Sequence, residues 1–456
     1  MTVTGDALRI LLVNTNSFRY LSPPPLGLAY LSAALKEHGH QPHLLDLMFE
    51  KDPQRALSAA LDDVGPSLVG FSIRNLDNQS MLALRNPLPA VRGLVAQARA
   101  RGVTTVLGGT AFTTMPVEML EYMEAEYGIA GEGETGLPHL ADDLARDGRA
   151  SAGIAGLVWR DRGTIHARPA VITGYGGERR ADYAAVDWRR YRRTHCPPAP
   201  GVVVKTGCPY SCAYCDARSM MGSCFRLRDP RAIVEDVRLL RRSHEVRSFF
   251  LIDHCFNSPL DHAKAVLAEI IRARLNIGFA TTVGPVTGCY DDEFFRLFRR
   301  AGGTFAILDA DSLSATMLER YRKPFTVDDV SSCARLARRN GLPIALSILF
   351  GGPGETEHTV RETMSQLRRV DFAHFMYSIG VRVLPGTGVY ETALREGVVR
   401  DRRDLLMPTF YVSRDLDVEW ARAYVEREAR RSPRYDLRML ASRARHILRQ
   451  HVWSGL

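Results

Sequence analysis

Residues 205–218 read KTGCPYSCAYCDAR, and the rest of the chain is best understood from this stretch. Cys208, Cys212 and Cys215 stand in it at C-x3-C-x2-C spacing on a tight turn. Three thiolates this close in sequence can converge on one iron–sulfur cluster without long-range folding, because cysteinate is the usual protein ligand for such clusters. A [4Fe–4S] cube has four irons, so three ligands leave one iron open to bind and activate a substrate, as catalytic metal sites require. A zinc site is the alternative chemistry, with Cys224 or Cys196 as a more distant fourth ligand.

The bulk composition narrows the class. At 456 residues the chain is long enough for two or three domains, each with its own core. No run approaches eighteen uninterrupted apolar residues, which argues against a membrane span, and MTVTGDALRI is no signal peptide. Three clustered Cys out of eight favour metal binding over a disulfide framework, so a cytoplasmic and oxygen-sensitive protein is expected. The net charge is +9, yet only five of the 60 basic residues are Lys and the Arg are scattered. That pattern reads as a solvated basic surface and argues against a nucleic-acid partner.

Over residues 1–150 short apolar runs alternate with helical patterns: 8–14, 41–47, 67–73, 104–110 and 126–134 as strands, 26–39, 55–64, 90–102 and 137–148 as helices. Buried strands alternating with helices predict a parallel, doubly wound Rossmann-like sheet, with ligands beyond the carboxyl ends of its strands. Ser72, Arg74 and Asn75 follow the third strand. Gly108 and Gly109 would let a ligand approach the backbone, Thr110 adds a hydroxyl, and Gly131, Glu132, Gly133 and Glu134 make a second polar edge. Residues 151–200 read as a hairpin around Asp161–Gly163 and then a proline-marked linker. From 201 to 390 the rhythm resumes with six strands, which predicts a partial (β/α)6 barrel with active groups at the carboxyl strand ends. Residues 391–456 carry two amphipathic helical patterns, 420–431 and 437–448, expected to cap the barrel opening. Tyr411, Trp420 and Tyr424 would either pack there or line a pocket; Met407 and Met439 are read as fillers.

Two resemblances give these patterns a chemistry. The stretch 205–218 resembles the cluster loop of the radical S-adenosylmethionine (SAM) enzymes, where an aromatic residue, here Tyr214, precedes the last Cys. PPPLGLAYLSAALKEHGH (23–40), the GFS turn (70–72), VLGGTAF (106–112) and IAGEGE (129–134), taken as an ordered series, resemble the cobalamin-binding domain fused to many radical SAM enzymes. The resemblance implies SAM contacts from Tyr214, Asp253 and Asn257 in FFLIDHCFN, from Asp309 in LDADS, and from Gly351 and Gly352 in GGPGETEHTV, with Glu355 and Thr356 capping the next helix. For cobalamin it implies Ser72, Arg74, Asn75, Gly108, Gly109, Thr110, Gly131, Glu132 and Glu134. The first βα connection reads NTNSFRYLSPPPLG, with no D-x-H-x-x-G element, so no His would ligate cobalt, and Arg74 or Asn75 is expected near its lower face.

The implied activity is a cobalamin-dependent radical SAM methyltransferase on a small natural-product intermediate. A [4Fe–4S] cluster would cleave SAM, methylcobalamin would donate the methyl group, and a flavodoxin- or ferredoxin-type partner would supply electrons. No side chain is assigned as a general acid or base. The alternative is another reaction on the same architecture: rearrangement, cyclisation or transfer of a different SAM fragment such as aminocarboxypropyl. RNA modification like that of the methylthiotransferases fits less well, since the first 195 residues hold no Cys and the tail reads as helical.

Overall fold

The structure is a computed structural model that describes residues 7–18, 23–172, 180–192 and 200–431. The N-terminal half of the order is β1 (Arg9–Asn14), α1 (Leu26–Glu37), β2 (Gln41–Asp46), α2 (Pro53–Val64), β3 (Leu68–Ser72), α3 (Leu88–Ala100), β4 (Thr104–Gly108), α4 (Thr110–Thr114), α5 (Pro116–Met123), β5 (Tyr127–Ile129), α6 (Gly133–Asp147), β6 (Leu157–Asp161) and β7 (Thr164–Ala167). Its sheet runs β2-β1-β3-β4-β5-β6-β7, the first five strands parallel and the last two antiparallel. β1 is buried along five of its six residues because helices cover both faces. The elements end where local chemistry dictates. Asp52 accepts from the Arg55 amide ahead of Pro53 to start α2, and Gly65 in the left-handed region stops it. The hairpin expected after residue 150 forms, and it pairs with β5 as the edge of this sheet.

The second half follows with α7 (Trp188–Arg192), β8 (Gly201–Val203), β9 (Lys205–Thr206), α8 (Ala217–Met221), β10 (Arg226–Leu227), α9 (Pro230–Ser243), β11 (Ser248–Ile252), α10 (Leu260–Ala273), β12 (Gly278–Val283), α11 (Asp292–Arg300), β13 (Gly303–Asp311), α12 (Ala315–Arg320), α13 (Val327–Arg339), β14 (Ile344–Phe350), α14 (Glu357–Leu367), β15 (His374–Ile379), β16 (Val381–Arg382), α15 (Gly388–Arg395), β17 (Phe410–Tyr411) and α16 (Val418–Arg430). Six parallel strands in the order β8-β11-β12-β13-β14-β15 form the expected open barrel. β9 pairs with β10, and β16 with β17, in small antiparallel ribbons.

The two halves share apolar cores. Val381, Val383 and Tyr411 are buried in one cluster with Phe71, Phe112 and Met119 of the N-terminal half. Arg382 crosses the same boundary: Nε donates to Asp77 at 2.5 Å, and the other guanidinium nitrogens reach the Val383, Thr409 and Leu405 carbonyls. The expected cap takes a different place. α16 packs along the flank of the barrel on α14 and β15, fixed by Arg368 donating to Glu428 at 2.9 Å. Tyr411 is core, and Trp420 stacks on Tyr424 at 5.0 Å under Arg361, so these rings pack rather than line a pocket. The expected helix over 437–448, with Met439, and the linker prolines Pro197 and Pro198, with Cys196, fall outside the described residues. Among the described residues no helix is long and apolar enough to cross a membrane.

Candidate active site

The strand order 2-1-3-4-5 makes a topological switch beside β1, where ligands of doubly wound sheets bind. A cavity of about 420 Å³ opens there, at the carboxyl ends of the N-terminal strands and against the ends of β8 and β11. Of the cobalamin residues expected from sequence, Ser72, Arg74, Gly108, Gly109, Thr110, Gly131, Glu132 and Glu134 all line it. Asn75 lies beside Arg74 in a small adjoining recess, where the Arg74 guanidinium reaches its Oδ1 at 3.4 Å. Thr110 Oγ1 donates to the Arg74 carbonyl at 2.7 Å, so the hydroxyl expected to meet a ligand instead braces the loop that presents Arg74.

The inner end of the cavity is apolar. Leu12, Leu28, Leu31, Val106, Ile129 and Leu137 surround it, between the sheet and helices α1 and α6. Glycines keep it open. A Cβ at Gly70 would stand 3.2 Å from Leu12 Cδ2 and 3.6 Å from Val106 Cγ1, and one at Gly133 would stand 3.0 Å from Leu31 Cδ2. Gly109 has φ of +95°, and a Cβ there would meet the Ile73 carbonyl at 2.6 Å. An apolar slot with a glycine-lined, polar mouth is the form a large cofactor with both flat and polar parts needs. The residues fit cobalamin. The polar rim is visible in the sequence and the slot is not, apart from Gly70 within the apolar run LVGFS, a sign of close approach.

The barrel side of the cavity is supplied by Lys205, Thr206, Ile252, Asp253, His254 and two methionines, Met220 and Met221, on α8 just past the cysteine loop. Thr114 Oγ1 donates to the Asp216 carboxylate of that loop at 3.1 Å, so the cysteine loop abuts the cobalamin-type domain. The loop backbone is held from three sides. Cys208 N–H donates to the Gly222 carbonyl at 3.1 Å, Ala213 N–H to the Tyr321 carbonyl at 2.9 Å, and Val389 N–H to the Ala213 carbonyl at 2.9 Å. Gly207 has φ of +81°, and a Cβ on it would lie 2.0 Å from the Cys224 carbonyl oxygen, so no other residue fits this turn. Burial raises the thiols of Cys208 and Cys212 above their ordinary value, which bound iron would reverse by taking the thiolates.

Beneath the loop lies a buried network. Tyr214 hydroxyl donates to Asp311 Oδ2 at 2.5 Å, Lys323 Nζ donates to Tyr214 Oη at 3.1 Å, and Lys323 ion-pairs with Asp311. A register shift in β13 between Asp309 and Asp311, with Asp311 at φ +61°, produces this arrangement. Burial and the adjacent Asp311 carboxylate raise the pKa of Asp309, with Lys323 opposing. Lys323 is therefore the cation of the network. Tyr214 is engaged inside the protein rather than facing open space.

Other expected SAM residues are committed to the chain itself. Asp253 pairs with buried Lys205 and accepts from the Cys255 amide at 3.0 Å. Asn257 is fully buried; Nδ2 donates to the Gly284 and Cys289 carbonyls, both at 2.7 Å, and Oδ1 accepts from Gly284 N–H at 2.8 Å. It clamps the loop after β12. Gly351 N–H donates to Glu355 Oε2 at 3.1 Å and Gly352 N–H to the Tyr321 hydroxyl at 3.2 Å, and a Cβ on Gly352 would strike that ring. Thr356 and Thr359 cap α14 reciprocally, each side chain accepting from the other's N–H, while Glu355 sits buried beneath the turn with Thr359 Oγ1 donating to it at 2.9 Å. Burial raises Glu355 to about 7.

Comparison with known proteins agrees with both halves. The model of the radical SAM superfamily matches residues 202–367, and that of the B12 binding domain matches residues 17–141. Tryptophan 2-C-methyltransferase of Streptomyces laurentii is 27% identical over 83% of this chain and 73% of its own length. Hopanoid C-3 methylase of Methylococcus capsulatus is 25% identical over 84% of this chain and 71% of its own. The structure of the radical SAM methyltransferase TsrM from Kitasatospora setae, with tryptophan substrate and a SAM analog bound, superposes with a TM-score of 0.75 at 26% identity, covering 86% of this chain and 77% of that one. The chain therefore belongs to the radical SAM superfamily, in the architecture that sets a B12-binding domain ahead of the barrel.

Proposed function

We propose that the protein is a cobalamin-dependent radical SAM methyltransferase acting on a small molecule of natural-product biosynthesis, with electrons supplied by a flavodoxin- or ferredoxin-type protein. The observation that carries this reading is the single cavity walled by both domains, with the cobalamin-type rim on one side and the flank of the cysteine loop on the other. The named relatives that methylate tryptophan and hopanoids support the same class. Cys208, Cys212 and Cys215 would hold the cluster and leave one iron for SAM. Gly351, Gly352 and Asp309 would shape the SAM site, with Tyr214, Asp253 and Asn257 positioning its walls through Asp311, Lys205 and the loop after β12. The rim residues Ser72, Gly108, Gly109, Gly131, Glu132 and Glu134 would hold cobalamin, with Thr110 bracing the loop that presents Arg74. Arg74 and Asn75, which are not metal donors of the imidazole kind, would stand under the metal. When bound, the cofactors supply reductive SAM cleavage and a cobalt-borne methyl group. The chain contributes position and exclusion of water.

The test is turnover of SAM carrying a trideuterated methyl group with a panel of small molecules that includes free tryptophan. The expected outcome is a product heavier by the labelled methyl. SAM cleavage with a rearranged or cyclised product lacking the label would instead favour the second reading. That reading has its own support in relatives named anaerobic magnesium-protoporphyrin IX monomethyl ester cyclase, such as that of Rubrivivax gelatinosus, 25% identical over 76% of this chain and 62% of its own.

A further inference from the structure

We propose that His38, His139 and Asp142 form a binding site for a divalent transition-metal ion, zinc in the first place, at the end of the N-terminal domain remote from the cleft. His38 caps the C-terminus of α1, whose first residues line the cavity; twelve residues of helix put roughly 18 Å between them. His139 and Asp142 lie three residues apart on α6 and so share one helix face.

The ligand atoms of the three residues all lie within 4.8 Å of one another. Asp142 Oδ2 is 2.8 Å from His38 Nδ1 and 3.9 Å from His139 Nδ1. Nitrogen and carboxylate ligands about 2.1 Å from a tetrahedral zinc stand about 3.4 Å apart, between the two measured separations. Small side-chain rotations thus suffice to admit an ion. The neighbouring His40 orients the carboxylate. Its Nδ1 accepts from the Leu8 amide at 3.3 Å, so its proton sits on Nε2, which donates to Asp142 Oδ1 at 3.0 Å. Oδ1 is thereby occupied and Oδ2 turned to the other two histidines. A buried group that fixes a ligating carboxylate from behind is how metal sites orient their ligands, and the His40 side chain is 2% exposed.

The site is open on the outside, the His139 side chain being 58% exposed, which gives an entry path and room for a water as fourth ligand. Imidazole with carboxylate suits zinc and its transition-metal neighbours rather than magnesium or calcium. Binding displaces the Nδ1 proton of His38 to solvent or to its other ring nitrogen. The ion would tie α1 to α6 at one end, and the same two helices wall the apolar slot at the other.

The experiment uses tag-free enzyme reconstituted with cluster and cobalamin, treated with a zinc chelator, then given zinc and desalted. Zinc and iron per chain are measured by elemental analysis, and helix unfolding is followed by circular dichroism. Iron reports the cluster separately, so zinc held by unloaded cluster cysteines is recognised. The wild-type protein should retain zinc in equal amount to the chain and unfold at higher temperature with zinc than without. His139→Ala, an exposed helix position where alanine is favourable, should lose both effects, and His139→Cys, which keeps a zinc ligand, should preserve them. No retained zinc in the wild type would overturn the proposal, as would equal zinc and equal stabilisation in His139→Ala; the trio would then be a hydrogen-bonded staple only.

Discussion

Gly70 shows how one missing side chain opens a slot. Its Cβ would project among Leu12 and Val106, both on the cavity wall. Gly70→Val should load the cluster normally and lose cobalamin retention by about 5- to 150-fold, since overpacking of about 1–3 kcal/mol falls directly on the bound group. Iron and cobalamin contents measured on the same sample check this. Arg74 is the complementary case. Arg74→Ala should alter the absorption spectrum of bound cobalamin and slow turnover; an unchanged spectrum with unchanged turnover would remove Arg74 from the account. Glu355 gives a pH prediction. Its folded pKa is raised from 4.5 to about 7, so the folded state binds this proton more tightly than the unfolded chain. Stability from this group is therefore full below about pH 4.5, declines as pH rises toward 7, and is lost above it. The amount is about 3 kcal/mol at most. Glu355→Gln should flatten the fall in melting temperature over that interval relative to the wild type, and parallel pH curves would contradict the assignment.

At the scale of elements, what could be read from sequence follows distance along the chain. The cysteine loop stands out in the sequence because its three Cys fall within eight residues, and the βα rhythm because each strand and helix carries its own period. The glycine-rich rim of the first sheet was legible because switch-point ligands sit at strand ends. Residue roles inside the barrel were less so. Asn257 stands in a motif that suggests a ligand contact, yet both its polar atoms are satisfied by the backbone of the next loop, a partner 27 residues on. Lys205 and Asp253, 48 residues apart, form a buried pair that no local pattern announces. α16 lies on the barrel flank because its buried face, including Tyr424 and Val425, meets α14 and β15 rather than the cavity mouth. If packing is its role, Trp420→Ala should lower stability while leaving KM for substrate unchanged within error; thermal unfolding and steady-state kinetics separate the two.

For the whole molecule, the decisive feature is that the halves are built as one body. Arg382 and Asp77 lie 305 residues apart and bury their charges together, so the site between the domains has a fixed width. Arg382→Met would strand the Asp77 carboxylate at a cost of about 3–5 kcal/mol, and adding Asp77→Asn should recover much of that loss. Thermal unfolding of the single and double variants tests this bolt. The central claim, that the cavity joining the two domains is a cobalamin site working beside a SAM-binding cluster, is tested by anaerobic reconstitution with iron, sulfide and hydroxocobalamin, then desalting and quantification of both cofactors. Cobalamin should be retained in equal amount to the chain together with a loaded cluster; a loaded cluster with no retained cobalamin would rule the cobalamin site out.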